Sequence, residues 1–448
     1  MKIHLIAIGG SAMHNLALAL NQQGHDLSGS DDEIFEPSRS RLAEAGILPE
    51  SMGWNANRIS EDIDMVVVGM HARKDNPELL KALELGLKVL SYPEYLYESS
   101  KNKTRVVITG SHGKTTITSM ILHVLNFHGR DCDYMVGAQL EGFHTMVRLT
   151  DHNEFMVIEG DEYLSSPLDP RPKFVHYRPN IALLSGIAWD HYNVFPKFEE
   201  YRHQFELLFE YIEPGGQIIY NADDSEVKNL VESATQELKK FPYQTPTYRV
   251  EDQQFILETL EGDLPLQVFG AHNMNNLEGA RWVCSQMGLT DEEFYEAIVE
   301  FEGASKRMEP LIETEALKVF RDFAHAPSKV KASVQACRET FGNSRFLAVL
   351  ELHTFSSLNL EFMQQYANSM DPADTAIVYF NPEVLAHKKL PALSIDEVQK
   401  AFASEKVKVI LNSAELEALI QEQKDQHEII VLMSSGNFDG IDWTKVFD

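Results

Sequence analysis

A chain of 448 residues with 44% apolar and 24% charged side chains has ordinary globular composition and is too long for one compact core, so about two to four domains are expected. Its formal net charge of −29 excludes a surface built to coat DNA or RNA, where Lys and Arg must neutralise phosphates. A small anionic ligand stays open, since a few local amides and cations suffice for it. The three cysteines, Cys132, Cys284 and Cys337, are far apart and form no C-x-x-C, which fits a reducing compartment and neither a disulfide framework nor a thiolate zinc site. The apolar start is interrupted by Lys2, His4, His14 and Asn15 and lacks a cleavage motif. No run approaches the roughly 18 apolar residues of a membrane span. The expectation is a cytoplasmic protein with neither nucleic acid nor membrane as partner.

In chain order, residues 3–8 read as a strand, followed by a Gly-Gly turn and an apolar-periodic helix over 13–20. A second strand ends at Gly29–Asp31, and a third covers 65–69. NPELLKALELG then places Pro near a helix start and Gly past its end. Residues 99–104, SSKNKT, read as a linker. A second segment opens with the strand RVVITG and its helix, and continues with strands at EFMVIEG, NIALLSGI and QIIYN. A third carries KVFRDFA, RFLAVLEL, DTAIVYF, KVKVIL and EIIVLMSSG as strands between helical stretches. Strands alternating with helices imply wound, parallel sheets. The expected fold is therefore α/β in three domains, 1–103, 104–303 and 304–448, with no internal repeat.

The stretch VVITGSHGKTT, Val106–Thr116, is the most informative. A glycine turn at a helix N-terminus cradles phosphate oxygens with backbone amides, helped by the helix dipole. Lys114 would reach the β- and γ-phosphates, and the Thr115 hydroxyl could join a Mg²⁺ shell. The general nucleotide-loop pattern wants glycine five residues before Gly113, where Ile108 stands; here the first glycine is Gly110, so the loop is two residues tighter. Partners for a metal follow downstream: Glu159 closes EFMVIEG, and His191 lies in WDHYNVF. Carboxylate and imidazole can both ligate Mg²⁺ or Mn²⁺, oxygen being preferred.

The ordered set TGSHGKTT, EGDEY, DHYNVF, GAHNMNN, KRME and DFAHAP resembles the Mur ligases, the ATP-dependent amide ligases of peptidoglycan assembly, over essentially the whole chain. The resemblance implies a Rossmann-like UDP-binding domain, a central P-loop ATPase domain and a C-terminal Rossmann-like domain for the amine substrate. It assigns Gly110, Ser111, His112, Gly113, Lys114, Thr115 and Thr116 to the ATP phosphates, and Thr115, Glu159 and His191 to magnesium, with manganese an alternative. Asn273 and Asn276 would contact the adenine side, as amides that donate and accept. Arg307 would meet the γ-phosphate or acyl phosphate, with Asp322 and His325 near ribose and phosphates. Lys114, Glu159, His191 and Arg307 would be the catalytic set. In this chemistry a carboxylate attacks the γ-phosphate and an amine then displaces phosphate. Catalysis is mostly positioning and charge neutralisation, and a reactive acyl phosphate favours sites assembled between closing domains.

The N-terminal IAIGGSAMHNLALAL does not fit the dinucleotide G-x-G-x-x-G pattern. It resembles the UDP-binding domain of the subgroup acting on UDP-N-acetylmuramate, which places Gly9, Gly10 and Ser11 near the diphosphate and Ser30 or Asp31 near the uridine. Ligases of later steps carry a carbamylated lysine fifteen residues after the DH histidine; here that residue is Glu206. Two amine substrates remain: L-alanine, or the recovered tripeptide L-alanyl-γ-D-glutamyl-meso-diaminopimelate. KFVHYRPNIALL, FPKF, DFAHAPS and LMSSGNFDGI resemble the tripeptide-recycling ligases. The chain departs from their pattern at Leu164, Tyr192, Asn193 and Ala326, and ELHTF lacks a nearby arginine. A P-loop regulatory module without ligation is the alternative of another class, and it leaves the Asn pair and the Arg307–Asp322 region without a purpose. A monomer or weak homo-oligomer is expected.

Overall fold

The structure is a computed structural model and describes every residue except Glu141, Pro167, Ser305, Lys306 and Asp448; Lys306 of the KRME motif thus lies outside the described residues. The chain compacts into two units. One comprises Met1–Ile187, Arg202–Tyr243 and Gly279–Leu289; the other comprises Ala188–Tyr201, Gln244–Glu278 and Thr290–Asp448.

The first unit holds two sheets. Strands β1 (Lys2–Ile6), β2 (Asp26–Ser30), β3 (Met65–Val68) and β4 (Lys88–Ser91) form a parallel sheet in the order β2-β1-β3-β4. The second sheet contains β5 (Thr104–Thr109), β6 (Asp133–Met135), β7 (Val147–Arg148), β8 (Phe155–Gly160), β9 (Ile181–Leu184), β10 (Gln217–Asn221) and β11 (Lys239–Tyr243). Its order is β11-β10-β9-β5-β8-β6-β7, parallel except for β7. The apolar runs VVI of β5 and IALL of β9 are wholly buried, as strands covered on both faces must be. The helix Pro77–Glu84 starts where Asn76 accepts the N–H groups of Glu78 and Leu79 at 2.9 and 3.1 Å, with Pro at the first position.

The second unit contains an antiparallel sheet of β12 (Tyr248–Glu251), β13 (Gln254–Thr259) and β14 (Gly262–Leu266). It also contains a six-stranded sheet. Its strands are β15 (Glu309–Glu313), β16 (Lys318–Asp322), β17 (Phe346–Glu351), β18 (Thr375–Tyr379), β19 (Val407–Ile410) and β20 (Ile429–Met433), in the order β15-β16-β20-β17-β18-β19. Only β15 runs antiparallel. All six residues of β17 are buried. Burying each large aliphatic side chain contributes about 1.5–3 kcal/mol, so this central strand anchors the core.

Two expectations need correction. Ser99 and Ser100 end the helix Tyr92–Ser100 and Thr104 begins β5, which reduces the expected six-residue linker to Lys101–Lys103. The antiparallel sheet β12–β14 was not foreseen in the sequence. Among the described residues no helix is long and apolar enough to cross a membrane.

Candidate active site

Between β5 and the helix Lys114–Phe127, Gly110 and Gly113 have φ of +128° and +79°, conformations open to glycine and strained for other residues. A Cβ at Gly110 would run into the Ser185 side chain and the Gly186 backbone. The turn is fastened from β9: the Ser111 N–H donates to the Gly186 carbonyl at 3.0 Å, and the Ser185 hydroxyl donates to the His112 carbonyl. No side chain caps the helix that follows, which leaves its N-terminus the kind of end that can receive an anion. Thr116 is buried in the helix face, while Lys114 and Thr115 are part-exposed. The Lys114 ammonium donates to the Gly110 carbonyl at 2.6 Å and to Glu162 at 3.1 Å. Burial works against that charge, but Glu162, Asp161 and Glu159 outweigh it and raise the ammonium well above its ordinary pKa.

Glu159 ends β8 beside this loop. One carboxylate oxygen accepts the Thr115 hydroxyl at 3.1 Å and the other the Gly137 N–H at 2.8 Å. Burial pushes its pKa up, with the Gly137 N–H opposing. A hydroxyl and a carboxylate 3.1 Å apart fit Mg²⁺, which usually takes one or two protein oxygens together with substrate phosphates. Among the described residues no three His, Cys, Asp or Glu side chains form a ready metal cage.

His191, Arg307, Asp322 and His325 lie in the second unit. His191 takes a left-handed backbone, φ +55°. Asp190 accepts the His191 N–H at 2.7 Å through one oxygen and meets the Lys329 ammonium at 3.3 Å through the other. Burial opposes the Asp190 charge, yet Lys329 and the neighbouring histidines hold its pKa at about 2. Burial, Lys329 and Arg307 push His325 down to about 4, against Asp190, so its ring is neutral at pH 7. The Arg307 guanidinium stacks over the Phe323 ring, 4.7 Å from its centre. Asp322 is buried and accepts the N–H groups of Met308 and Ala324 at 2.8 and 2.7 Å and the Ser333 hydroxyl at 3.1 Å. Three of its roughly four acceptor positions are therefore taken, one of them by the N–H of the residue that follows Arg307. Asn273 and Asn276, both buried, hydrogen-bond each other at 3.3 Å, and Asn273 donates to the Phe269 carbonyl at 2.9 Å.

In the N-terminal sheet, the Gly9 N–H donates to Asp31 at 2.8 Å. A Cβ at Gly9 would lie 2.9 Å from that carboxylate and 2.8 Å from Ile34, so the close approach requires glycine. Gly10 precedes the helix Ser11–Gln22 and Ser11 is exposed. Burial raises the Asp31 pKa, with the Gly9 N–H opposing. Ser30, by contrast, is fully buried, and its hydroxyl donates to buried Glu78, which also accepts from Arg58 at 3.2 Å. Of the two residues expected near the uridine, only Asp31 is part-exposed.

Several contributors carried no readable signal. Gly137, Ser185, Gly186 and Lys329 are recognisable only through the partners that distant segments bring to them. Tyr192 packs on Phe362 at 5.8 Å and its hydroxyl donates to Glu361 at 2.7 Å. Ala326 precedes the helix Pro327–Phe341, Leu164 bridges to Pro172, and Glu206 pairs with Arg202 at 2.9 Å.

Three family models match in succession: Mur ligase family, catalytic domain, over residues 2–104; Mur ligase middle domain over 108–284; and Mur ligase, glutamate ligase domain, over 306–436. The chain belongs to the Mur ligase family. It is accordingly an ATP-dependent ligase that forms amide bonds. This Mur ligase is 28% identical to the UDP-N-acetylmuramate–L-alanine ligase of Carboxydothermus hydrogenoformans, over 98% of this chain and 95% of that one. It is also 28% identical to the UDP-N-acetylmuramate–L-alanyl-gamma-D-glutamyl-meso-2,6-diaminoheptandioate ligase of Haemophilus influenzae, over 98% and 97%. The murein peptide ligase structure from Psychrobacter arcticus shares its fold with a TM-score of 0.69 at 24% identity, covering 100% of this chain and 98% of that one.

Proposed function

We propose that this Mur ligase joins the tripeptide L-alanyl-γ-D-glutamyl-meso-diaminopimelate to UDP-N-acetylmuramate, spending ATP through an acyl phosphate, as in peptidoglycan recycling. Gly9, Gly10, Ser11 and Asp31 would hold the UDP part. The amides of Gly110–Thr116 and Lys114 would hold the ATP phosphates, and Asn273 and Asn276 the adenine side. Thr115, Glu159 and His191 would hold Mg²⁺, which when bound supplies charge neutralisation at the phosphates. Lys114 and Arg307 would stabilise the charge moving onto the transferred phosphoryl group, and Asp322 would act by fixing the Arg307 loop rather than by touching ribose.

The observation that carries the choice of amine is the loop after β20, whose sequence LMSSGNFDGI resembles the recycling ligases. Buried Glu351, at the end of β17, accepts the Ser434 hydroxyl and the Phe438 N–H, the latter at 2.9 Å. Asp439 accepts from the Tyr379 hydroxyl and from Asn381. These groups crowd the carboxyl ends of β17, β18 and β20, where open α/β sheets bind ligands. The second reading, L-alanine as amine, is favoured by relatives of that name at the same identity. Phosphate release at fixed UDP-N-acetylmuramate and ATP decides: the tripeptide should support it far better than L-alanine, and the reverse order would overturn the assignment. Release indifferent to UDP-N-acetylmuramate would remove the sugar substrate as well.

A further inference from the structure

Lys329 is the third residue of the fifteen-residue helix Pro327–Phe341, which has no acidic residue in its first turn. A cation there opposes the helix dipole, so its placement calls for a local partner. That partner is Asp190, 3.3 Å from the ammonium and nearly buried. The two oxygens of Asp190 divide the work: one meets Lys329, the other accepts the N–H of the next residue, His191, at 2.7 Å. His191 needs such a hold, because its φ of +55° is strained for a side chain with a Cβ. The His191 carbonyl in turn accepts the N–H groups of Val194 and Phe195 at 2.8 and 2.9 Å, and the Tyr192 N–H is taken by Ser356 at 3.0 Å. The backbone on both sides of the imidazole is thus fixed, and Asp190 is the fixing point on the N-terminal side.

We propose that Lys329 is a positioning residue for His191, acting through Asp190. Without its ammonium the buried carboxylate loses its only cation within 4 Å among the described residues, a situation that a buried carboxylate relieves by turning outward to water. That rotation releases the His191 N–H and lets the strained backbone relax, carrying the imidazole off its line. The inference rests on His191 being a ligand of the nucleotide-bound cation, and removing a group that orients a metal ligand typically weakens metal binding 10–100-fold.

The test is Mn²⁺ binding to the full chain with a non-hydrolysable ATP analogue, followed by electron paramagnetic resonance, beside steady-state ligation. Lys329→Met should weaken Mn²⁺ about 10-fold or more and lower kcat, leaving KM for UDP-N-acetylmuramate unchanged. Lys329→Arg should restore most of the loss. Adding Asp190→Asn to Lys329→Met should also recover Mn²⁺ binding, because a neutral amide oxygen still accepts the His191 N–H and needs no counter-ion; this pair serves if the single variant folds poorly. Wild-type Mn²⁺ binding in Lys329→Met with weakened binding in His191→Ala would overturn the positioning role alone. Unchanged binding in both variants would overturn the metal assignment of His191 and this inference together.

Discussion

The carboxylate of Asp322, at the end of β16, accepts the backbone N–H of Met308 at 2.8 Å, fourteen residues upstream. Met308 follows Arg307 directly and has φ +49°. The bond therefore sets the loop from which the guanidinium reaches over Phe323. Asp322→Asn would replace one acceptor oxygen by an amide NH₂ facing backbone donors. Leaving buried donors unmatched costs about 1–3 kcal/mol, so urea unfolding should show that loss and ligation should slow. A variant as stable as the parent would show that the bonds carry no weight.

Lys114→Ala should abolish ATP-dependent ligation by removing the cation that follows the transferred phosphoryl group. It should also destabilise the chain, since Glu162 is buried and breaking a buried pair typically costs about 3–5 kcal/mol. Lys114→Ala with Glu162→Gln should recover stability and not turnover. Ligation surviving in either variant would refute the role of the loop.

Gly137→Ala tests the Glu159 arrangement. The added Cβ would lie 2.7 Å from one Glu159 oxygen, and the backbone carrying it is held in β6 and the turn beyond. The carboxylate must shift away from Thr115. The magnesium concentration needed for half-maximal ligation should rise by roughly 10–100-fold, with a stability loss of about 1–3 kcal/mol from overpacking. An unchanged magnesium requirement would detach Glu159 from the metal.

The pH dependence of stability follows from His325, held at about 4 in the folded chain against about 6.5 when unfolded. Between those values the unfolded state binds more protons, so stability rises with pH. The contribution is complete above pH 6.5 and is lost as pH falls toward 4. Allowing for solvent screening of this part-exposed ring, it amounts to about 1–2 kcal/mol. Denaturant unfolding between pH 4.5 and 7.5 should therefore show a shallower slope for His325→Gln than for the parent; equal slopes would contradict it.

Much of the fold was legible because parallel strands buried on both faces write continuous apolar runs, as in VVI, IALL and FLAVLE. Glycine and lysine at a strand end likewise advertise a phosphate loop without any tertiary information. The antiparallel sheet escaped notice for an equally physical reason. The turn between β12 and β13 is Asp252–Gln253, with φ of +48° and +66°, a conformation that sequences ordinarily mark with Asn-Gly or Asp-Gly. Its strands are also partly exposed and polar. The same holds at the site: Lys114 carries its own motif, whereas Gly137 matters only because β6 pairs with β8 and brings it beside Glu159. Ser30, which the resemblance offered beside Asp31 for the uridine, has its hydroxyl turned inward to Glu78, a contact between distant segments that residue type does not announce.

If the Gly110–Thr116 loop takes the ATP phosphates as proposed, the contact between Lys114 and Glu162 makes nucleotide binding an exchange rather than a filling. The Lys114 ammonium already holds a negative group of the chain's own, Glu162, tethered and always at hand. An incoming anion must beat that resident carboxylate, and a chloride or sulfate ion offers little beyond what Glu162 supplies. A triphosphate offers more, since it engages the amides of the turn as well as the ammonium. On that reading the arrangement would act as a selectivity threshold, keeping the loop from being held by the small anions present in excess.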